Sequence, residues 1–180
     1  LTLETNTREV CLREAVEAAN TAIQGYAQSH PESAGLGATV VAALVQDQQL
    51  TLAWVGDSRG YVWEQGELRQ LSHDHSLVAR LVEIGQLSPE EARTHEHRNV
   101  LLRSLGSKAQ VAVDVISLPL RRGARLLLCS DGLTGHVEDD VLKDVLSRHR
   151  DPFDAAVELV AAANADGGSD NISVVVTFHE

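Results

Sequence analysis

The spacing of hydrophobic residues changes along the chain, from a helical period to a strand alternation and back. Residues 7–29 carry apolar positions at helical spacing and end just before Pro31, which predicts one long helix. The apolar run 40–45 and the two-residue alternation over 50–55 are typical of strands. The polar stretch between these two runs predicts a hairpin turn.

A second hairpin is predicted around Gln65-Gly66, so the first four strands read as an antiparallel meander. Segment 76–106 lacks strand alternation and consists of short helices and loops, one of which starts at Ser88. The remaining predicted elements are strands at about 110–118 and 124–130, helices at about 137–148 and 152–164, and a last strand over 172–178. Strands with mostly hairpin links, followed by helices and a closing strand, predict an α+β layered sandwich.

Length and composition indicate an ordinary globular domain. The chain has 180 residues, of which 43% are hydrophobic and 23% charged, so residues 1–180 are expected to form one domain. The net charge of -11 argues against a nucleic-acid or anionic-membrane surface, because such surfaces are bound through clustered cations. No membrane-spanning run and no signal-peptide pattern is visible, which predicts a cytoplasmic protein. Cys11 and Cys129 lie in apolar patterns and are expected to be reduced core thiols.

Three aspartates occur at predicted strand ends beside glycine. Asp57 follows a strand behind Gly56, Asp131 ends a strand ahead of Gly132, and Asp170 precedes the final strand. Hard divalent cations such as Mg²⁺ and Mn²⁺ prefer carboxylate oxygens, and strand ends hold ligands rigidly. An aspartate beside glycine is also a common turn former, which is the commoner explanation for any one of the three taken alone.

Two histidine pairs, His73 with His75 and His95 with His97, are weaker candidates for zinc ligands. Neither pair has a cysteine nearby, and histidines in polar loops are usually solvated. Zinc binding is therefore the less favoured interpretation of these pairs.

Six segments in order resemble the metal-dependent Ser/Thr protein phosphatases of the PP2C (PPM) family, bacterial type. They are GLGATVVAAL, AWVGDSRGYVW, LSHDHSLV, GQLSPEEARTHEHRNVLLRSLG, GARLLLCSDGLTGHV and GGSDNISVVV. The match runs from about residue 9 to 178. The resemblance implies a β-sandwich of two antiparallel sheets flanked by helices, in α-β-β-α layers, with residues 76–106 as a flap beside the active cleft.

The resemblance also implies a metal cluster of Mn²⁺ or Mg²⁺ that activates water to hydrolyse phosphoserine and phosphothreonine. Asp131 and Asp170 would be ligands of two core ions, and Asp57 with Asp131 would bind a third, weaker ion. Gly132 and Asn171 would support these ligands. The implied partners are phosphorylated protein substrates and a Ser/Thr kinase, for a monomer that binds neither nucleic acid nor membrane.

One departure from the family concerns its N-terminal motifs. The family's acidic motif, phosphate-binding arginine and D-G-x-G-G-H stretch do not occur in this chain, nor do the strands and helix that accompany them. The catalytic acid and the phosphate-binding arginine are therefore not assigned to any residue here. These 180 residues are expected to be the C-terminal two-thirds or more of the domain, with poor metal binding and little activity by themselves. The alternatives are a non-catalytic phosphatase-like regulatory or binding module and an inactive fragment of the enzyme.

Overall fold

A computed structural model describes residues 5–180 and arranges them in two antiparallel sheets covered by helices. Residues 1–4, which belong to the predicted domain 1–180, lie outside the described residues. The strands are β1 (Val40–Gln46), β2 (Gln49–Val55), β3 (Arg59–Glu64), β4 (Glu67–Gln70), β5 (Asp114–Pro119), β6 (Arg125–Cys129) and β7 (Val174–Phe178). The helices are α1 (Thr5–Ser29), α2 (Leu77–Glu83), α3 (Pro89–Thr94), α4 (Asp131–Thr134), α5 (Asp139–Arg148) and α6 (Pro152–Ala165).

The strand order confirms the α+β sandwich and corrects the predicted meander. One sheet has the order β1-β2-β5 and the other β4-β3-β6-β7, with every pairing antiparallel. Both predicted hairpins are present, but β2 and β3 lie in different sheets, so the meander was wrong between them. The change of sheet occurs at the strand joint, residues 56–58. Gly56 has φ 110° there, and a Cβ on it would lie 2.3 Å from the Thr39 side chain, so only glycine fits.

The α-β-β-α layering follows from the two faces of each sheet. Leu50, Leu52 and Trp54 of β2 pack against the other sheet, whereas Ala53 and Val55 pack under α1. On the far side of the second sheet, a separate buried cluster joins β3 and β6 to α5 and α6. Both faces of β2 are therefore buried. The alternation in its sequence is between larger and smaller side chains as well as between apolar and polar ones.

Some element boundaries differ from their predictions. The first strand of the second predicted pair begins at Asp114 rather than near residue 110, and the last strand begins at Val174 rather than 172. The helix predicted from 137 begins at Asp139 and is preceded by the separate short helix α4. Apolar residues just outside a strand pack like strand residues without joining the hydrogen-bonded ladder, so hydrophobicity alone does not mark the ends.

The two cysteines have different surroundings. Both are free thiols, and Cys129 is buried as predicted. Cys11 is exposed, so its assignment to the core was wrong. It lies on the face of α1 that points away from the sheet, where a single apolar residue is tolerated at little cost. Among residues 5–180, no helix, α1 included, is long and apolar enough to cross a membrane.

Candidate metal centre and its cleft

A cleft of about 410 Å³ opens between the ends of the sheets and the flap (residues 76–106). Its walls come from the strand joint, from the segment after β4, from the flap helices α2 and α3, and from the start of α4. The charged residues that line it carry both signs: Asp57, Arg59, Asp74, Arg93, Arg98 and Asp131. Two of the three predicted aspartate ligands, Asp57 and Asp131, therefore lie in one cleft.

Asp57 is partly buried in the middle of the strand joint. Burial, and secondly the negative charge of nearby Asp131, raise the pKa of Asp57 to about 6. The positive charge of Arg59 acts in the opposite direction but does not outweigh these two effects, so the ionised form of Asp57 is only partly compensated. Carboxylates in this condition fit a hard divalent cation, which would supply the missing charge.

Asp131 opens α4 instead of ending β6, so it lies one element later than the sequence pattern suggested. Its neighbour Gly132 touches the chain that precedes β7: a Cβ at Gly132 would lie 2.4 Å from the backbone oxygen of Asn171. The Ser130 hydroxyl donates to the same Asn171 oxygen at 3.1 Å and accepts from the Ser173 amide at 3.0 Å. The start of α4 and the chain before β7 are therefore closely packed, and the positioning role expected of Gly132 stays a prediction.

Asp170 lies on the other side of this contact. Its Cβ would be 3.5 Å from a Cβ built on Gly132, yet its side chain is exposed and does not line the cleft. Its Oδ1 accepts from the Asn171 amide at 2.7 Å. Over residues 5–180, no three His, Cys, Asp or Glu side chains stand together in an arrangement ready to hold a metal ion. The structure thus brings Asp57 and Asp131 into one cleft with Asp170 behind Gly132, and the metal-ligand roles of all three stay predictions.

The sequence patterns missed His136, which fastens the loop that carries Asp170. Its Nε2 accepts from the Ser169 amide at 3.2 Å and lies 3.0 Å from the Ser169 hydroxyl. Since the amide can only donate, Nδ1 carries the ring hydrogen, and Asp166 Oδ2 accepts it at 3.1 Å. A lone histidine after a predicted strand carries no sequence signal for such a contact, because its partners are about thirty residues away.

Arg59 in the cleft wall was also missed, although it belongs to the quoted segment around Asp57. Its Nε and Nη2 donate to the Asp74 carboxylate at 2.9 and 2.8 Å, and Nη1 donates to the Tyr61 hydroxyl at 3.1 Å. A guanidinium held at both ends is rigid and largely neutralised by Asp74. Arg59 therefore shapes the wall more than it adds positive charge to the cleft.

The flap reaches back to the core through α3. The predicted helix start at Ser88 is confirmed as a capping box, in which Ser88 Oγ accepts from the Glu91 amide and Glu91 accepts from the Ser88 amide. From this helix, Arg93 donates to Glu138 at 3.0 Å and to the Thr134 carbonyl at 3.4 Å. The flap helix is thereby tied to the segment that follows Asp131.

A two-sheet sandwich with helices outside, acids at the edge of the sheets and a helical flap beside them is the arrangement that the resemblance to the metal-dependent Ser/Thr phosphatases implied. The family model for protein phosphatase 2C matches residues 2–84. The Listeria welshimeri serine/threonine phosphatase Stp is 42% identical over 168 residues, which are 93% of this chain and 67% of that protein. The chain belongs to the protein phosphatase 2C family.

Solved structures agree with this membership. The serine/threonine phosphatase Stp1 from Staphylococcus aureus superposes with a TM-score of 0.94 at 35% identity, over 100% of this chain and 71% of that one. The catalytic domain of the phosphatase PstP, solved in complex with two manganese ions, has a TM-score of 0.86 at 36% identity, over 93% of this chain and 70% of that one.

Proposed function

We propose that this chain is the main part of a phosphatase domain that hydrolyses phosphoserine and phosphothreonine in proteins, with Mn²⁺ or Mg²⁺ as cofactor. The observation that carries the proposal is the pair of acids in one cleft, Asp57 and Asp131, with the pKa of Asp57 raised. Membership of the family and the manganese ions in the PstP structure support the reaction and the choice of metal.

Asp131 and Asp170 would hold two core ions, and Asp57 with Asp131 a third, with water or further oxygen atoms completing each shell. Such ions supply Lewis acidity, which polarises water and neutralises charge on the phosphoryl oxygens. The protein's own part is to hold the carboxylates still: the Gly132 contact fixes the start of α4, and the strand joint fixes Asp57.

The substrate side of the cleft is formed by the flap. Arg98 lines the cleft from there and would attract the phosphate of a phosphorylated segment, whereas Arg59 and Arg93 are already paired with Asp74 and Glu138. An open cleft with both signs of charge suits an extended phosphopeptide better than a small buried metabolite. We therefore propose phosphorylated proteins as substrates, including those of a Ser/Thr kinase, for an enzyme that acts as a monomer.

The test is Asp131→Asn in the full-length protein that contains this chain. We expect Mn²⁺-dependent phosphate release from a phosphothreonine peptide to fall by about 100-fold or more, because the amide supplies no negative charge to an ion. Asp47→Asn, an exposed carboxylate in the β1-β2 turn, is the matched control and should leave the rate unchanged. A rate for Asp131→Asn within about threefold of the unaltered protein would refute the proposal.

A second candidate is a non-catalytic phosphatase-like module that binds a partner, or an inactive fragment. It is favoured by the lack of a three-carboxylate group among residues 5–180. Titration calorimetry with Mn²⁺ on the full-length protein separates the two candidates. A catalytic protein should bind at least one ion with an affinity that Asp131→Asn lowers, whereas the binding module should show no such ion.

A further inference from the structure

His75 lies at the root of the flap, where its side chain is only 8% exposed. It forms two hydrogen bonds with Gly56, the first residue of the strand joint. The His75 amide donates to the Gly56 carbonyl at 2.9 Å, and the Gly56 amide donates to His75 Nδ1 at 3.1 Å. The next residue after Gly56 is Asp57, so the imidazole holds the backbone immediately beside a proposed ligand.

The contacts determine which nitrogen of the ring carries the hydrogen. The Gly56 amide can only donate, so Nδ1 must accept and Nε2 must carry the hydrogen, which Asp114 Oδ2 accepts at 3.1 Å. Arg103 Nη1 also lies 3.1 Å from Nε2, but its two hydrogens go to Asp114 Oδ1 at 2.6 Å and to the Ala112 carbonyl at 3.1 Å. Burial lowers the pKa of His75, in agreement with a neutral ring.

The same residue joins the two ends of the flap. The Leu102 amide donates to the His75 carbonyl at 2.8 Å, and the Leu77 amide donates to the Val100 carbonyl at 2.8 Å. The indole of Trp54 in β2 stacks on the imidazole, and its Nε1 donates to the His73 carbonyl at 2.9 Å. His75 is thus fixed by β2, by β5 through Asp114, and by both ends of the flap.

We propose that His75 is a positioning residue for Asp57, which couples the root of the flap to the strand joint through the Nδ1 bond to the Gly56 amide. The inference rests on the proposed function for the role of Asp57 as a ligand. Gly56 has no side chain of its own to fix the joint, so the ring does this in its place. Ligand carboxylates must be held within about 0.5 Å of a productive geometry, and a freed joint would lose that accuracy.

Two near-isosteric substitutions separate the two bonds of the ring. In His75→Asn the side-chain oxygen stands where Nδ1 stood and can still accept from Gly56, whereas the bond to Asp114 is lost. In His75→Gln the amide nitrogen stands near Nε2 and can still donate to Asp114, whereas the bond to Gly56 is lost. A merely structural role of the ring would predict similar effects of both changes.

The measurements are hydrogen exchange of the Gly56 amide in metal-free buffer and Mn²⁺ calorimetry, both on the full-length protein. We expect Gly56 exchange to accelerate about tenfold or more in His75→Gln and to stay within about threefold in His75→Asn. The weakest-bound Mn²⁺ should lose about five- to tenfold in affinity in His75→Gln alone. His30→Gln, at a half-buried histidine after α1 whose ring contacts Ser29 and Tyr26, is the control and should change neither quantity.

Equal Gly56 exchange in the two His75 variants would overturn the inference, whatever their activity. An additional measurement needs no variant: ¹⁵N NMR of the histidine rings should show His75 as the neutral tautomer with hydrogen on Nε2 at pH 7. A ring with hydrogen on Nδ1 could not accept from Gly56, and finding it would equally overturn the inference, even where the variants fail to fold. Absence of any Mn²⁺ binding in the unaltered protein would instead overturn the proposed function, and the metal-free exchange then decides the role of His75.

Discussion

At the residue scale, Asp57 shows how burial and a neighbouring acid change the protonation of a carboxylate. Its pKa rises from 3.8 to about 6 because it is partly buried and faces Asp131. The folded protein without metal therefore binds this proton more tightly than the unfolded chain does. The resulting stabilisation is fully present below about pH 4 and is lost as the pH rises through about 6.

This linkage gives a prediction for Asp57→Asn in metal-free buffer. Between pH 4 and 7 the unaltered protein should lose about 2 kcal/mol of unfolding free energy that the variant does not lose, after allowance for partial solvent screening. Urea unfolding at a series of pH values measures the difference. Asp47→Asn should follow the unaltered protein, and parallel curves for Asp57→Asn would contradict the raised pKa.

His136 gives a second prediction at this scale. His136→Ala removes the ring that joins Asp166 to Ser169, so the loop of residues 166–170 should exchange its amide hydrogens faster. The expected loss of unfolding free energy is about 1–2 kcal/mol, measured by urea unfolding. His97→Ala, at an exposed histidine in the flap, is the control. Unchanged exchange over 166–170 would show that the loop is held by other contacts.

At the scale of elements, short segments rather than long ones place the proposed ligands. The four-residue helix α4 begins with Asp131, and the loop before β7 is pressed against it at Gly132. Such a contact between two backbones leaves no room for adjustment by side-chain rotation. The position of Asp131 relative to Asp170 is therefore set by main-chain packing.

Gly132→Ala tests this contact. The added Cβ would lie 2.4 Å from the Asn171 backbone oxygen, so α4 or the facing loop must move, and we expect a destabilisation of about 2–4 kcal/mol. Gly25→Ala in α1 is the control, because a Cβ there meets nothing within 4 Å and should stabilise the helix by about 0.5–1 kcal/mol. Thermal or urea unfolding measures both. A neutral Gly132→Ala would mean that the two loops are not in contact in solution.

At the scale of the whole molecule, the two sheets are in contact through residues of β2 and β3 that face each other. Gly60 of β3 lies directly opposite Leu52 of β2, since a Cβ on Gly60 would be 2.9 Å from the Leu52 side chain. Leu52 itself is fully buried in the cluster between the sheets. The separation of the sheets at this point is thus set by one glycine and one leucine.

A double-mutant cycle tests the facing of the sheets. Gly60→Ala alone should destabilise by about 1–3 kcal/mol through overpacking, and Leu52→Ala alone by about 2–5 kcal/mol through the cavity it leaves. The alanine at 60 fills part of that cavity. The destabilisation of the double variant should therefore be smaller than the sum of the two single destabilisations by at least about 0.5 kcal/mol. Strict additivity in urea unfolding would place the two residues apart.

Much of the fold was accessible from local patterns, and the errors have definite causes. The hairpins over 40–55 and 61–71, the capping box at Ser88 and the helical character of α5 and α6 depend on neighbours in sequence, and the structure confirms them. The break of the meander at Gly56 and the exposure of Cys11 depend on which distant surface each residue meets, so hydrophobic period could not reveal them. The family resemblance is confirmed by the comparisons.

The sequence alone determined the kinds of elements, the ordered motifs of a phosphatase family and the identity of the candidate ligands Asp57, Asp131 and Asp170, because periodicity and motif spacing are local properties. Tertiary structure alone decided that Asp170 stands behind Gly132, outside the cleft that Asp57 and Asp131 share. It also showed that His75, which the sequence pattern suggested only as a zinc candidate, and His136, which had no sequence signal, form hydrogen bonds to the segments that carry these acids. The physical reason is that hydrogen bonds and electrostatic interactions act over a few ångströms in space. The number of residues between two positions in the sequence does not give their distance in the folded protein.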